Sequence, residues 1–110
     1  MFTCHIINEG GSTMVFPEGE LRFEDCHALE NIVSRHMDSG VLLSFNMGKV
    51  SFLDSAGAGF LLKMKELTEK WNGSFEMRYL QKGVKMVLDK LALNEFLNVS
   101  KDEPLITDGM

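Results

Sequence analysis

The chain has 110 residues, 45% of them hydrophobic and 25% charged, with a formal net charge of −5 at pH 7. That length supports one domain around one core and is too short for two. Eleven Lys and Arg scattered among sixteen Asp and Glu give no basic face for phosphate backbones, which excludes nucleic acid, and they equally disfavour an anionic membrane surface. No apolar run approaches the roughly 18 to 20 residues of a membrane-spanning helix. Residues 1–11 lack the cationic start and long apolar stretch of a signal peptide, so a cytoplasmic protein with reduced Cys4 and Cys26 is expected.

Residues 1–7 and 13–16 are β-rich and flank Asn8-Glu9-Gly10-Gly11-Ser12, which predicts a hairpin toward one edge of a sheet, its second arm ending at Pro17. Over residues 25–37, Leu29, Ile32, Val33 and Met37 recur at helical spacing behind the acidic Glu24 and Asp25, and Ser39-Gly40 supplies a stop. Residues 41–45 form a short apolar run of the kind that is covered on both faces, predicting a central strand. A second helix is expected from about Ser55, with Phe60, Met64, Leu67 and Trp71 on its buried stripe and an end at Asn72-Gly73. Residues 74–80 alternate as a strand, Val84, Val87, Leu88 and Leu91 mark a third helix, residues 96–99 suggest a short last strand, and residues 101–110 an irregular tail. Strand–helix–strand crossovers require parallel pairing while the hairpin is antiparallel, so the fold class is α/β with a mixed sheet.

The most informative segment is Asp54-Ser55-Ala56-Gly57-Ala58-Gly59, where a strand turns into a helix. Asp and Ser are favoured capping residues, and a cap alone is one sufficient reading of the pair. The unpaired N–H groups and positive dipole end of a helix also make that position hospitable to a phosphate on Ser55. The small residues that follow cost helix stability, which points to close approach by a neighbouring strand or by another protein.

Gly57-Ala58-Gly59 is not a dinucleotide fingerprint, because Leu62 stands where the third glycine belongs; no phosphate-binding loop follows, and Ser55 lies in no nucleophile elbow. Cys4-His5 and Cys26-His27 are adjacent pairs without metal-ligand spacing, so neither a metal nor a cofactor is expected. Most methionines fall on core stripes; Met47, in a loop before the motif, is the exception expected at the surface.

The Asp54–Gly59 segment resembles the Asp-Ser-Ser/Ala-Gly-x-Gly hallmark of STAS domains, the anti-sigma factor antagonists. Gly19-Glu20-Leu21 is similar to the family's Gly-Glu-Leu-Asp, with Arg22 in place of the Asp. Asn46-Met47-Gly48-Lys49-Val50 is similar to its Asp-Leu-Ser-Gly-Val loop, with Asn46 in place of another Asp, and the likeness spans nearly the whole chain. It implies a single STAS-like domain over residues 1–110 with about four to five strands and helices packed on them. It also implies a non-enzymatic cytoplasmic switch that binds an anti-sigma factor serine kinase while Ser55 is unphosphorylated and is reset by a serine phosphatase. Ser55 would be the phosphoacceptor, and Asp54, Ala56, Gly57, Ala58, Gly59, Arg22, Asn46 and Met47 would join it in the partner-binding surface. The alternative is a constitutive assembly subunit of a lipid-transport or signalling complex, with Ser55 only a helix cap. A second copy of the chain is a further candidate partner, to cover sheet left open by a short tail.

Overall fold

The computed structural model describes residues 2–100, and the expected irregular tail lies outside them. Strand β1 (Thr3–Glu9) and strand β2 (Ser12–Leu21) pair antiparallel from Thr3 opposite Glu18 to Glu9 opposite Ser12. Their connection is Gly10-Gly11 alone, at φ +53° and +84°. Two successive positive φ values match the right-handed twist of the flanking strands and demand residues without a Cβ penalty. The turn is therefore tighter than the five-residue connection expected.

β2 does not end at Pro17. Residues 12–15 pair parallel with β3 (Leu42–Asn46), and residues 18–21 pair parallel with β4 (Lys49–Leu53). Phe16 and Pro17 fall between the two registers, at the changeover, where a residue without an N–H removes no ladder hydrogen bond on that side. Of the hairpin, only β1 is thus at the edge, and β2 is interior. β5 (Ser74–Arg78) pairs parallel with β3, giving a five-stranded mixed sheet ordered β1-β2-β3-β5 with β4 beside β2. The expected last strand over residues 96–99 reduces to one parallel bridge between Val99 and Met77, with Leu97 buried and Phe96 exposed.

Register rows explain the core. Thr13, Leu43 and Phe75 align on one face with Val15, Phe45 and Met77, all buried, and the Phe45 and Phe75 rings lie 5.6 Å apart. The opposite row, Met14, Ser44 and Glu76, is tied by a 2.8 Å hydrogen bond from the Ser44 hydroxyl to the Glu76 carboxylate.

Helix α1 (Phe23–Ser34) packs on helix α2 (Ser55–Lys70), α2 packs on β5, and helix α3 (Lys82–Lys90) packs on β4. α1 starts two residues before the expected Asp25 and ends before Met37. Its exit is drawn toward the hairpin, where the Asn8 amide bonds the His36 ring at 2.8 Å and the Thr13 hydroxyl donates to the His36 carbonyl at 3.3 Å. On α2 the buried side is Gly57, Ala58, Phe60, Leu61, Met64 and Thr68. Leu67 is half-buried and Trp71 is 48% exposed, because the helix ends at Lys70 and Trp71, its C-cap, no longer follows the stripe. Leu91, the C-cap of α3, is exposed for the same reason.

Two glycines of α2 differ in what surrounds them. A Cβ on Gly57 would lie 2.7 Å from Leu53 Cδ1 and 2.8 Å from the Leu21 carbonyl oxygen, whereas one on Gly59 would meet nothing within 4 Å. Gly57→Ala is expected to destabilise the fold by about 1–3 kcal/mol through overpacking against backbone. Gly59→Ala is expected to stabilise it by about 0.5–1 kcal/mol through helix propensity. Urea-unfolding midpoints of the two variants check both signs.

Candidate functional site

The ends of β2 and β4 lie side by side, Leu21 opposite Leu53, and deliver the starts of α1 and α2 to the same place. Asp54 occupies the N-cap of α2 with extended backbone (φ −93°, ψ 178°), its N–H donating to the Leu21 carbonyl at 3.3 Å. Its carboxylate then serves two helices. Oδ1 accepts from the Gly57 N–H at 2.7 Å, and Oδ2 accepts from the Phe23 N–H at 3.1 Å. A carboxylate suits both, since each helix start presents N–H groups with no internal partner and a positive dipole end. The start of α1 is completed by Asp25, whose carboxylate accepts from the Arg22 N–H at 3.1 Å.

Ser55 is the first residue of α2, not its cap, which corrects the expectation in the alternative reading. Capping is done by Asp54. Ser55 is exposed, and among the described residues its hydroxyl has no hydrogen-bond partner. Ala56 is half-buried, and its carbonyl faces the Cys26 thiol at 3.7 Å; the same thiol lies 3.3 Å from the Arg22 carbonyl. Burial, followed by the charges of Asp54, Asp25, Glu24 and Glu30, pushes the Cys26 thiol up, so it stays protonated, with one proton to donate to either carbonyl.

The other expected site residues divide. Gly57 and Ala58 are buried, Gly57 against Leu21 and Leu53, so the small residues there admit the neighbouring strands rather than a partner. Gly59 is exposed with open space above it. Arg22 joins the site: its guanidinium lies 4.3 Å above the Phe52 ring and 3.0 Å from the Glu20 carboxylate. Met47 does not. It is fully buried, its N–H donating to the Arg78 carbonyl at 2.9 Å, which turns the loop residue into the core and corrects its assignment to the surface. Asn46 accepts from the Gly48 N–H at 3.0 Å and lines a separate cleft of about 890 Å³ with His5, Phe16, Glu18, Lys49 and Tyr79, none of which belongs to the Asp54–Gly59 segment.

Two exposed aromatic residues were not anticipated from the sequence. Phe23, at the first position of α1, is 75% exposed, and Phe52 is 38% exposed. Phe52 faces outward because Gly19 pairs with Val50 and Glu20 with Phe52, which leaves Ser51 as an extra residue on β4. Such a bulge reverses the alternation beyond it, turning Phe52 out and Leu53 in. Among the described residues no three His, Cys, Asp or Glu side chains converge as a metal site, and no helix is long and apolar enough to cross a membrane.

The model of the STAS domain matches residues 6–104. The chain belongs to the STAS domain family. Its fold is similar to that of an anti-sigma factor antagonist from Mycobacterium paratuberculosis, with a TM-score of 0.80 and 22% identity over 92% of this chain and 86% of that one. It is also similar to the anti-sigma factor antagonist SpoIIAA in its unphosphorylated form, with a TM-score of 0.67 and 19% identity over 92% and 89% of the two chains. No match is found among curated proteins. In this STAS domain the Asp54–Gly59 segment occupies the junction where one carboxylate ties two helix starts, and among the described residues the following hydroxyl has no partner.

One expectation follows from that junction and a second from the thiol of β1. Asp54→Ala removes acceptors from two helix starts at once and is expected to cost about 1–2 kcal/mol, the upper part of the range for a single cap, in urea unfolding. Burial pushes the Cys4 thiol up to about 11. Its thiolate at pH 8 is then roughly one part in a thousand, so iodoacetamide should alkylate Cys4 slowly at that pH and progressively faster toward pH 11, as mass spectrometry of timed samples can follow.

Proposed function

We propose that this STAS domain is a cytoplasmic anti-sigma factor antagonist that binds an anti-sigma factor serine kinase while Ser55 is unphosphorylated. The observation that carries the reading is the Ser55 hydroxyl, exposed, unbonded and placed at the start of α2 directly after an aspartate whose two oxygens are already engaged. The structural likeness to anti-sigma factor antagonists supports the same reading. A serine phosphatase would restore the binding form, and the chain itself performs no catalysis in this cycle.

The chemistry of the switch is electrostatic. A phosphoserine carries about −1.5 to −2 charges and three acceptor oxygens. The free chain tolerates them, because the group stands in solvent at the positive end of a helix. A complex would not, because the added charge must be desolvated beside the Asp54 carboxylate. Repulsion of a few kcal/mol at a separation of about 4 Å corresponds to a loss of affinity on the order of a hundredfold.

The test is calorimetric titration with a purified serine kinase of this type from the same cell, together with intact-mass measurement after incubation with ATP. Wild type is expected to bind and to gain one phosphate. Ser55→Ala should bind within about threefold of wild type and gain none, while Ser55→Asp should bind on the order of a hundredfold more weakly. Phosphate addition that survives Ser55→Ala, or a Ser55→Asp variant that binds as tightly as wild type, would overturn the switch; the latter is what a constitutive assembly subunit would give.

A further inference from the structure

We propose that Phe23 is the anchor by which the partner grips this domain, its ring entering an apolar socket that is edged by Lys and Arg on the partner's surface. The inference rests on the partner-binding reading above and adds to it a residue, a contact and a chemistry. Phe23 leaves 75% of its surface in water at the first position of α1, where a polar residue would be better solvated. Its backbone is fixed by the Asp54 carboxylate, so the ring projects from a position set by the residue that immediately precedes Ser55. Phe52, turned outward by the bulge at Ser51, adds a second exposed ring, and the Arg22 guanidinium stacks on it at 4.3 Å. Two aromatic rings and an arginine on rigid elements are the composition of an interface centre, and little side-chain freedom is lost when they are covered.

Charge defines the rest of the occupant. Arg22 is the one cation among Glu20, Glu24, Asp25 and Asp54 along these two helix starts and the strand end that feeds them. Its charge is already engaged by the Glu20 carboxylate at 3.0 Å. The helix start that carries Phe23 is therefore acidic, and a complementary face carries cations around its apolar centre. A kinase face of that kind places basic side chains around Phe23 while Ser55 meets the reacting centre.

Binding of the same purified serine kinase to full-length variants tests this. Phe23→Ala should weaken binding at least about tenfold. Its thermal midpoint and the amide spectrum of residues 54–59 should match wild type, because an exposed ring removes no core contact. Glu24→Lys should slow association severalfold, and wild-type affinity should fall as salt rises. A Phe23→Ala affinity within about twofold of wild type, alongside a Ser55→Asp variant that no longer binds, overturns the anchor and leaves the switch standing. Loss of binding in Phe23→Ala with Ser55→Asp unaffected supports the anchor and overturns the switch. An affinity indifferent to salt and to Glu24→Lys overturns the basic edge of the socket, and a wild-type chain that binds no such kinase overturns both readings.

Discussion

One carboxylate holds the candidate site of this molecule together. Asp54 accepts from Gly57 of its own helix and from Phe23 of another, and its N–H reaches the Leu21 carbonyl at the end of β2. Loss of a helix cap typically costs about 1 and up to about 2 kcal/mol, and the upper part of that range applies here because the loss of a shared acceptor strands two donors rather than one. Neither helix start has a second side-chain acceptor for those two N–H groups. Arg22 stands at the N-cap of α1 and has donors only. The relative position of α1 and α2 at this end therefore depends on a residue that also determines where the next hydroxyl points.

That arrangement separates two jobs that the sequence motif writes side by side. Asp54 caps, and among the described residues the Ser55 hydroxyl has no hydrogen bond to lose. A group attached to Ser55 would alter the surface without removing a contact from the fold. Nearby, the inserted Ser51 performs a similar separation on β4. By interrupting strict alternation it sends Leu53 into the core and Phe52 to the surface from consecutive positions. The backbone irregularity thus places an exposed aromatic ring at the strand end that leads into Asp54.

Local signals in the sequence carried much of the fold. The diglycine turn, the apolar run of β3, the alternation of β5 and the small-residue start of α2 each specify their element within a few neighbouring residues. What was not legible came from contacts between distant segments. α1 begins at Phe23 because its N–H meets Asp54, thirty-one residues further along the chain. Met47 reads as a loop residue and loops read as surface, yet its N–H is held by Arg78 on β5 and its side chain fills the core. Phe52 reads as an inward position until the register with Glu20 is known. Ser55 was legible as a candidate because Asp, Ser and four small residues are a local pattern; the exposed aromatic residues Phe23 and Phe52 were not, because no local pattern sets their direction.

The two glycines of the motif show why such a pattern can serve fold and function at once. Gly57 and Gly59 are two residues apart and so lie on opposite sides of the first turns of α2. At Gly57 the chain needs the absence of a Cβ, since the Leu21 carbonyl and the Leu53 side chain already occupy that space. At Gly59 nothing in the fold requires it, and a glycine in an exposed helix costs about 1 kcal/mol relative to alanine. A cost carried without a structural return, on the face that also holds the free Ser55 hydroxyl, is what access by another molecule would explain. The inner glycine lets the helix settle onto the sheet, and the outer one leaves open space on the face that carries Ser55.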